Sequence, residues 1–210
     1  MLDDPWIKAN SPLSPERLHA IGLISLRWNE CEFWHFQLFR TISKLPQQEA
    51  WALVFDLGDE SISIRIKTFM GIRGHKEPGA GLIENVLNYY SRCRQNRNSV
   101  VHAWTEGKHE GEGVLARKSK KPNEVDSEAF PADLNVLRRV ADELHILETR
   151  LWVLSCLAED GTISKPPSSL EKLPLPALLW KPPAPPNTKP QRPPQPSRAS
   201  RRKTALKMWK

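Results

Sequence analysis

Residues 21–45, IGLISLRWNECEFWHFQLFRTISKL, decide the fold. Ile21, Ile24, Trp28, Cys31, His35, Leu38, Ile42 and Leu45 recur three and four apart, the spacing that keeps one stripe of a helix apolar for about seven turns. Upstream, Ser14-Pro15-Glu16 supplies a start: a hydroxyl to cap a free N–H, a proline whose missing N–H costs nothing there, and an acid at the positive helix end. Leu23, Leu26, Phe33, Trp34, Phe36 and Phe39 lie off the stripe, which predicts a central helix surrounded by partners. His35 lies on the stripe and reads as a hydrogen-bonded core imidazole rather than a group facing a cleft. Pro46 ends the helix.

A partner for this helix is visible near the other end. After Phe130-Pro131-Ala132-Asp133, the residues Leu137, Val140, Leu144, Leu147, Leu151, Leu154 and Ala158 hold strict three-four spacing. Such a seam packs on the first helix in a bundle, or serves a dimer contact. Between the two, residues 47–57 predict a short helix. Ser61–Met70 fits either period, because Ile62, Ile64 and Ile66 alternate, but a lone strand has nothing to pair with, so helix is favoured. Gly71–Gly81 reads as a flexible turn without the Gly-Lys-Ser/Thr ending of a phosphate loop. Leu82, Val86, Tyr89, Cys93, Val100 and Trp104 predict one more helix, ending near Trp104. The polar stretch after it is either an exposed excursion or, at Val114–Arg117, one strand of a small β-hairpin; His109, Glu110 and Glu112 within it read as solvated charge, not as a metal site. The expectation is all-α: a bundle of four or five helices over residues 14–160, preceded by an arm (1–13) and followed by a disordered Pro-rich basic tail (161–210).

Composition sharpens that division. Twelve of the 19 prolines lie between Pro166 and Pro196, and residues 164–210 hold eleven Lys or Arg against the single acid Glu171, a charge of +10. The whole chain carries +7, so residues 1–163 carry −3, and the basic character belongs to the tail. Cys31, Cys93 and Cys156 are isolated on helical patterns and read as small buried hydrophobes, not as a disulfide framework or a zinc site. The acidic N-terminus and the absence of an uninterrupted apolar run predict a cytoplasmic protein with no membrane span.

One short segment carries chemistry. Arg97-Asn98-Ser99-Val100-Val101-His102 places a guanidinium, an amide and an imidazole near the end of a helix, with Arg92 and Arg94 just before. At about 100° per residue, Asn98 and His102 share a face, whereas Arg97 and His102 are about 140° apart. The arginines also suit a helix C-terminus as plain dipole partners. Arginine followed by histidine at loose spacing recurs at Arg139 and His145, so spacing alone decides little.

With its asparagine, the segment resembles the Arg-Asn-x-x-x-His signature of the HEPN superfamily, small helical bundles of which many are metal-independent ribonucleases. That resemblance implies a homodimer with a composite site. His102 would move the proton of a ribose 2′-hydroxyl, Arg97 would hold the scissile phosphate, and Asn98 would position the phosphate or fix the His102 tautomer. Neither cofactor nor metal is implied. The competing expectation is a non-catalytic helical adaptor, with Arg97 as a structural ion-pair partner. In either case the tail offers two uses. Arg201, Arg202 and Lys203 with Trp209 suit RNA or another nucleic acid, aided by Arg94 on the body, and the proline runs suit a groove on a protein partner. A toxin held by an antitoxin partner is a third reading.

Overall fold

The computed structural model describes residues 5, 11, 13–102, 104–106, 114–118, 127–131 and 133–179. Among the described residues five helices form the body: α1 (Pro15–Ser43), α2 (Gln47–Ala52), α3 (Asp59–Ile72), α4 (Gly79–Val101) and α5 (Leu134–Glu159). Between α4 and α5 the backbone forms three short antiparallel strands in the order β1 (Trp104–Glu106), β2 (Val114–Lys118) and β3 (Ser127–Pro131). Among the described residues no helix is long and apolar enough to cross a membrane.

The caps explain where the long helices begin. Ser14 accepts from the Arg17 N–H with Pro15 following, and Asp133 accepts from the Val136 N–H at 2.7 Å. The two long helices then pack along their full apolar stripes. Ile24, Cys31, Leu38 and Ile42 on α1 and Leu137, Val140, Leu144, Leu147, Leu151 and Leu154 on α5 are all buried where the two helices adjoin the core. The α5 seam is therefore consumed inside the chain and is not free to serve as a dimer contact. Cys31 donates to the Leu144 carbonyl at 3.3 Å, fixing the register. The Arg27–Glu148 pair, at 2.6 Å, clamps the same two helices from outside.

Several expectations are corrected. The first helix is not surrounded: Leu26 and Phe33 are 59% and 50% exposed, because α5 covers one side and α3 and α4 another, leaving a third to solvent. Cys156 is exposed, unlike Cys31 and Cys93. The short second helix stops at Ala52, and residues 53–56 continue as turns. Ser61–Met70 is helical within α3, whose Ile66 and Met70 are buried. The glycine-rich turn is shorter than Gly71–Gly81, since α3 runs to Ile72 and α4 begins at Gly79. The helix carrying the motif ends at Val101, not near Trp104, which opens β1.

The largest difference concerns the body's end. Gly161, at φ +71°, closes α5, with the Thr162 N–H donating to the Leu157 carbonyl and the Gly161 N–H to the Ala158 carbonyl. The chain does not then leave, as the boundary at 161 anticipated. Ile163 is buried, and residues 163–179 lie back along α4 as an extended strap. Asn85 holds Leu173 by both backbone groups, donating to its carbonyl at 3.0 Å and accepting from its N–H at 2.7 Å. Three turns on, Asn96 accepts from the Leu179 N–H and donates to the Ala177 carbonyl, both at 3.0 Å. Gly79 permits the strap's entry: a Cβ there would stand 2.2 Å from the Ile163 carbonyl oxygen. The strap thus belongs to the same compact unit as the helices.

Candidate functional site

The motif lies on the last turns of α4, where the helix packs against α1. Arg97 is half-buried, with its guanidinium carbon 5.7 Å from the centroid of the Trp28 ring, a cation–π distance. Nη1 donates to Asn98 Oδ1 at 3.0 Å, while Nε is buried without a hydrogen-bond partner. Trp28 in turn donates its indole N–H to Glu32 Oε1 at 2.6 Å. Burial pushes the Glu32 carboxyl pKa up, and the Trp28 hydrogen bond and the Arg97 charge pull it back. The guanidinium thus lies over an aromatic face, within electrostatic reach of a partly buried acid.

His102 is the capping residue of α4, exposed, with φ −97° and ψ 7°. Its backbone N–H donates to the Asn98 carbonyl at 3.2 Å. No hydrogen bond joins the Arg97 and His102 side chains within the chain, as their angular separation on the helix requires. The Asn98 Oδ1 is engaged by Arg97. Arg94 sits one turn before Asn98, paired with Glu60 Oε2 at 3.3 Å. Arg94, Asn98 and His102 therefore follow one another at four-residue intervals along one face.

Beneath the motif runs an aromatic stack that the sequence did not announce. Trp28 and Tyr90 pack with centroids 4.9 Å apart, Tyr90 stacks on His35 at 4.2 Å, and His35 Nε2 shares a hydrogen bond of 3.0 Å with Ser63 Oγ. Trp28 and His35 are seven apart on α1, and Tyr90 and Arg97 seven apart on α4, so two turns of each helix interleave. That shared interval was the available signal, but it becomes informative only once the two helices are known to touch. His35 is the core imidazole expected; burial, helped by the nearby Arg94 charge, pushes its pKa down to about 3 and keeps it neutral. Burial likewise raises the Tyr90 pKa, with the Asp59 and Glu32 charges and the approach of the Asp59 carboxylate to the phenol adding to it.

The other candidates separate cleanly. Arg139 pairs with Glu143 at 3.7 Å, and His145 with Glu148 at 3.5 Å, so the second arginine–histidine spacing is spent on neighbours along α5. Among the described residues no group of three or more His, Cys, Asp or Glu is gathered to hold a metal ion. Arg201, Arg202, Lys203 and Trp209 lie outside the described residues, as do His109, Glu110 and Glu112. No protein-family model, curated protein or solved structure matches this chain.

Proposed function

We propose that the chain is a HEPN-type, metal-independent RNA endonuclease that works as a homodimer. The observation that carries this reading is the pairing of an exposed imidazole at the end of α4, His102, with a guanidinium held in place one and a half turns earlier, Arg97. An exposed imidazole, free to reach a substrate proton, is suited to general acid–base work. A fixed guanidinium suits a phosphate whose negative charge grows in the transition state.

The chemistry follows from those two groups. His102 removes the 2′-hydroxyl proton, and the freed oxygen attacks the adjacent phosphorus. The bond to the 5′-oxygen breaks as that oxygen takes a proton from water, whose hydroxide is then neutralised by the His102 imidazolium, leaving a 2′,3′-cyclic phosphate, a 5′-hydroxyl and a neutral imidazole. Arg97 steadies the phosphoryl oxygens, and Asn98, already bonded to Arg97, orients the guanidinium. Because the two side chains diverge around α4, a partner copy supplies the histidine opposite each arginine, across a two-fold axis near the end of α4.

A second reading has its own observation. Arg97 rests on Trp28 beside Glu32, so it also fits a structural role in a non-catalytic adaptor whose tail does the binding. Chelator-treated protein offered mixed RNA separates the two. Cleavage that leaves cyclic phosphate ends and disappears in His102→Ala supports the enzyme, and activity unchanged in that variant overturns it.

A further inference from the structure

A cleft of about 370 Å³ opens between α3 and α4 on the face that carries Arg94, Asn98 and His102. Ser63, Asn88, Ser91 and Gln95 bring hydroxyls and amides to its wall, and Arg94 and Lys67 bring cations. Ile64 and Leu87 add apolar surface. Tyr90 also lines it, 1% exposed, with the Asp59 carboxylate close to its hydroxyl.

We infer that this cleft is a nucleotide subsite, seating the nucleoside next to the phosphate that Arg97 and His102 act on; the inference rests on the ribonuclease reading above. The volume is in the range of small-molecule sites. Neutral hydroxyls and amides on several sides match the mixed donors and acceptors of a base edge, while an apolar residue on each helix suits the flat ring. Both cations are already paired, Arg94 with Glu60 and Lys67 with Glu84, but both acids are largely exposed, at 76% and 63%. A phosphate can therefore take over either cation while the displaced carboxylate turns to water. From Arg94 to His102 is eight residues of helix, about 12 Å. An oligonucleotide lying along this face passes from the cleft to the imidazole without leaving α4.

The test uses the full chain with two probes: the four 5′-mononucleotides, and a fluorescein-labelled RNA hexanucleotide made uncleavable by 2′-O-methyl groups. Millimolar mononucleotide is expected to shift the side-chain amide resonances of Asn88 and Gln95. Ser91→Trp, which fills the cleft from a half-exposed position, is expected to abolish those shifts and weaken hexanucleotide binding about tenfold, with the melting temperature showing that the fold is kept. Should Ser91→Trp fail to fold, Gln95→Ala, at an exposed position, replaces it, with a severalfold loss expected. Unmoved Asn88 and Gln95 resonances, or affinity unchanged in a folded variant, overturn the subsite. The two readings fail separately. Cleavage that depends on His102 without any nucleotide shift sinks the subsite alone. Nucleotide binding that Ser91→Trp abolishes, with cleavage indifferent to His102, sinks the nuclease and leaves a nucleotide-binding cleft.

Discussion

The Arg97 guanidinium stands 5.7 Å from the centre of the Trp28 ring, so the candidate phosphate-holding group on α4 is positioned by a buried aromatic on α1. The contact separates two roles for Arg97 by experiment. Arg97→Met keeps the stem against the indole and removes the charge. We expect a loss of stability of about 1 kcal/mol or less and a loss of RNA cleavage of about a hundredfold or more. Chemical denaturation and a cleavage assay on the same preparation check both numbers; a large stability loss with cleavage intact reverses the assignment.

His102 is exposed at a helix end. His102→Ala is expected to shift stability by no more than about 0.5 kcal/mol while lowering cleavage by a factor of about 10² to 10⁴. Mixing Arg97→Met with His102→Ala subunits tests the composite site. One intact site per mixed dimer is expected to restore part of the activity that neither variant has alone.

His35 sets a pH dependence of stability. Its pKa is lowered in the fold from about 6.5 to about 3, so below pH 6.5 the unfolded chain takes up a proton that the native chain refuses. The stabilisation is whole above pH 6.5 and is lost as pH falls toward 3, at about 1.4 kcal/mol per pH unit. Burial raises the Glu32 and Glu143 pKa values, which opposes this trend at acid pH. The measurable quantity is therefore the difference between wild type and His35→Gln in denaturant titrations from pH 7 to 4, and the variant is expected to lack this slope.

The strap depends on two amides. Asn85→Ala and Asn96→Ala each strip two bonds to the strap backbone, and Asn96→Ala also frees Glu143. Each is expected to cost about 1 to 3 kcal/mol and to open residues 163–179 to protease. Truncation after Trp180 is expected to leave the melting temperature of the body unchanged, and truncation after Glu159 to lower it. Equal melting temperatures for both truncations would show that the strap adds nothing.

The sequence carried the bundle because the α1 and α5 stripes are long, and a three-four repeat sustained over six or seven turns has few other solutions. Even the ambiguous Ser61–Met70 resolved to helix on the argument that a lone strand lacks a neighbour. What escaped is of another kind. Leu26 and Phe33 looked like contact residues, because hydrophobicity marks what can be buried and not which face meets a partner. The strap escaped since a Pro- and Lys-rich stretch reads as unable to fold alone. That is true of it in isolation and beside the point when Asn85 and Asn96 supply its backbone bonds. At the site, the position of Arg97 and His102 was legible, but the Trp28–Tyr90–His35 stack was not. Its members come from two helices, and their common interval of seven gains meaning only through packing.

The strap also orders the events of folding. Its seat is built from α4 together with Glu143 of α5, so the seat does not exist until those helices have met. The bonds from Asn85 and Asn96 then join positions 88 and 83 residues apart, contacts whose loop-closure entropy is repaid only at the end. Closure of the bundle and docking of the strap are thus successive steps. Until the second is complete, two asparagine amides and the groove between them stand open to any extended chain that arrives first.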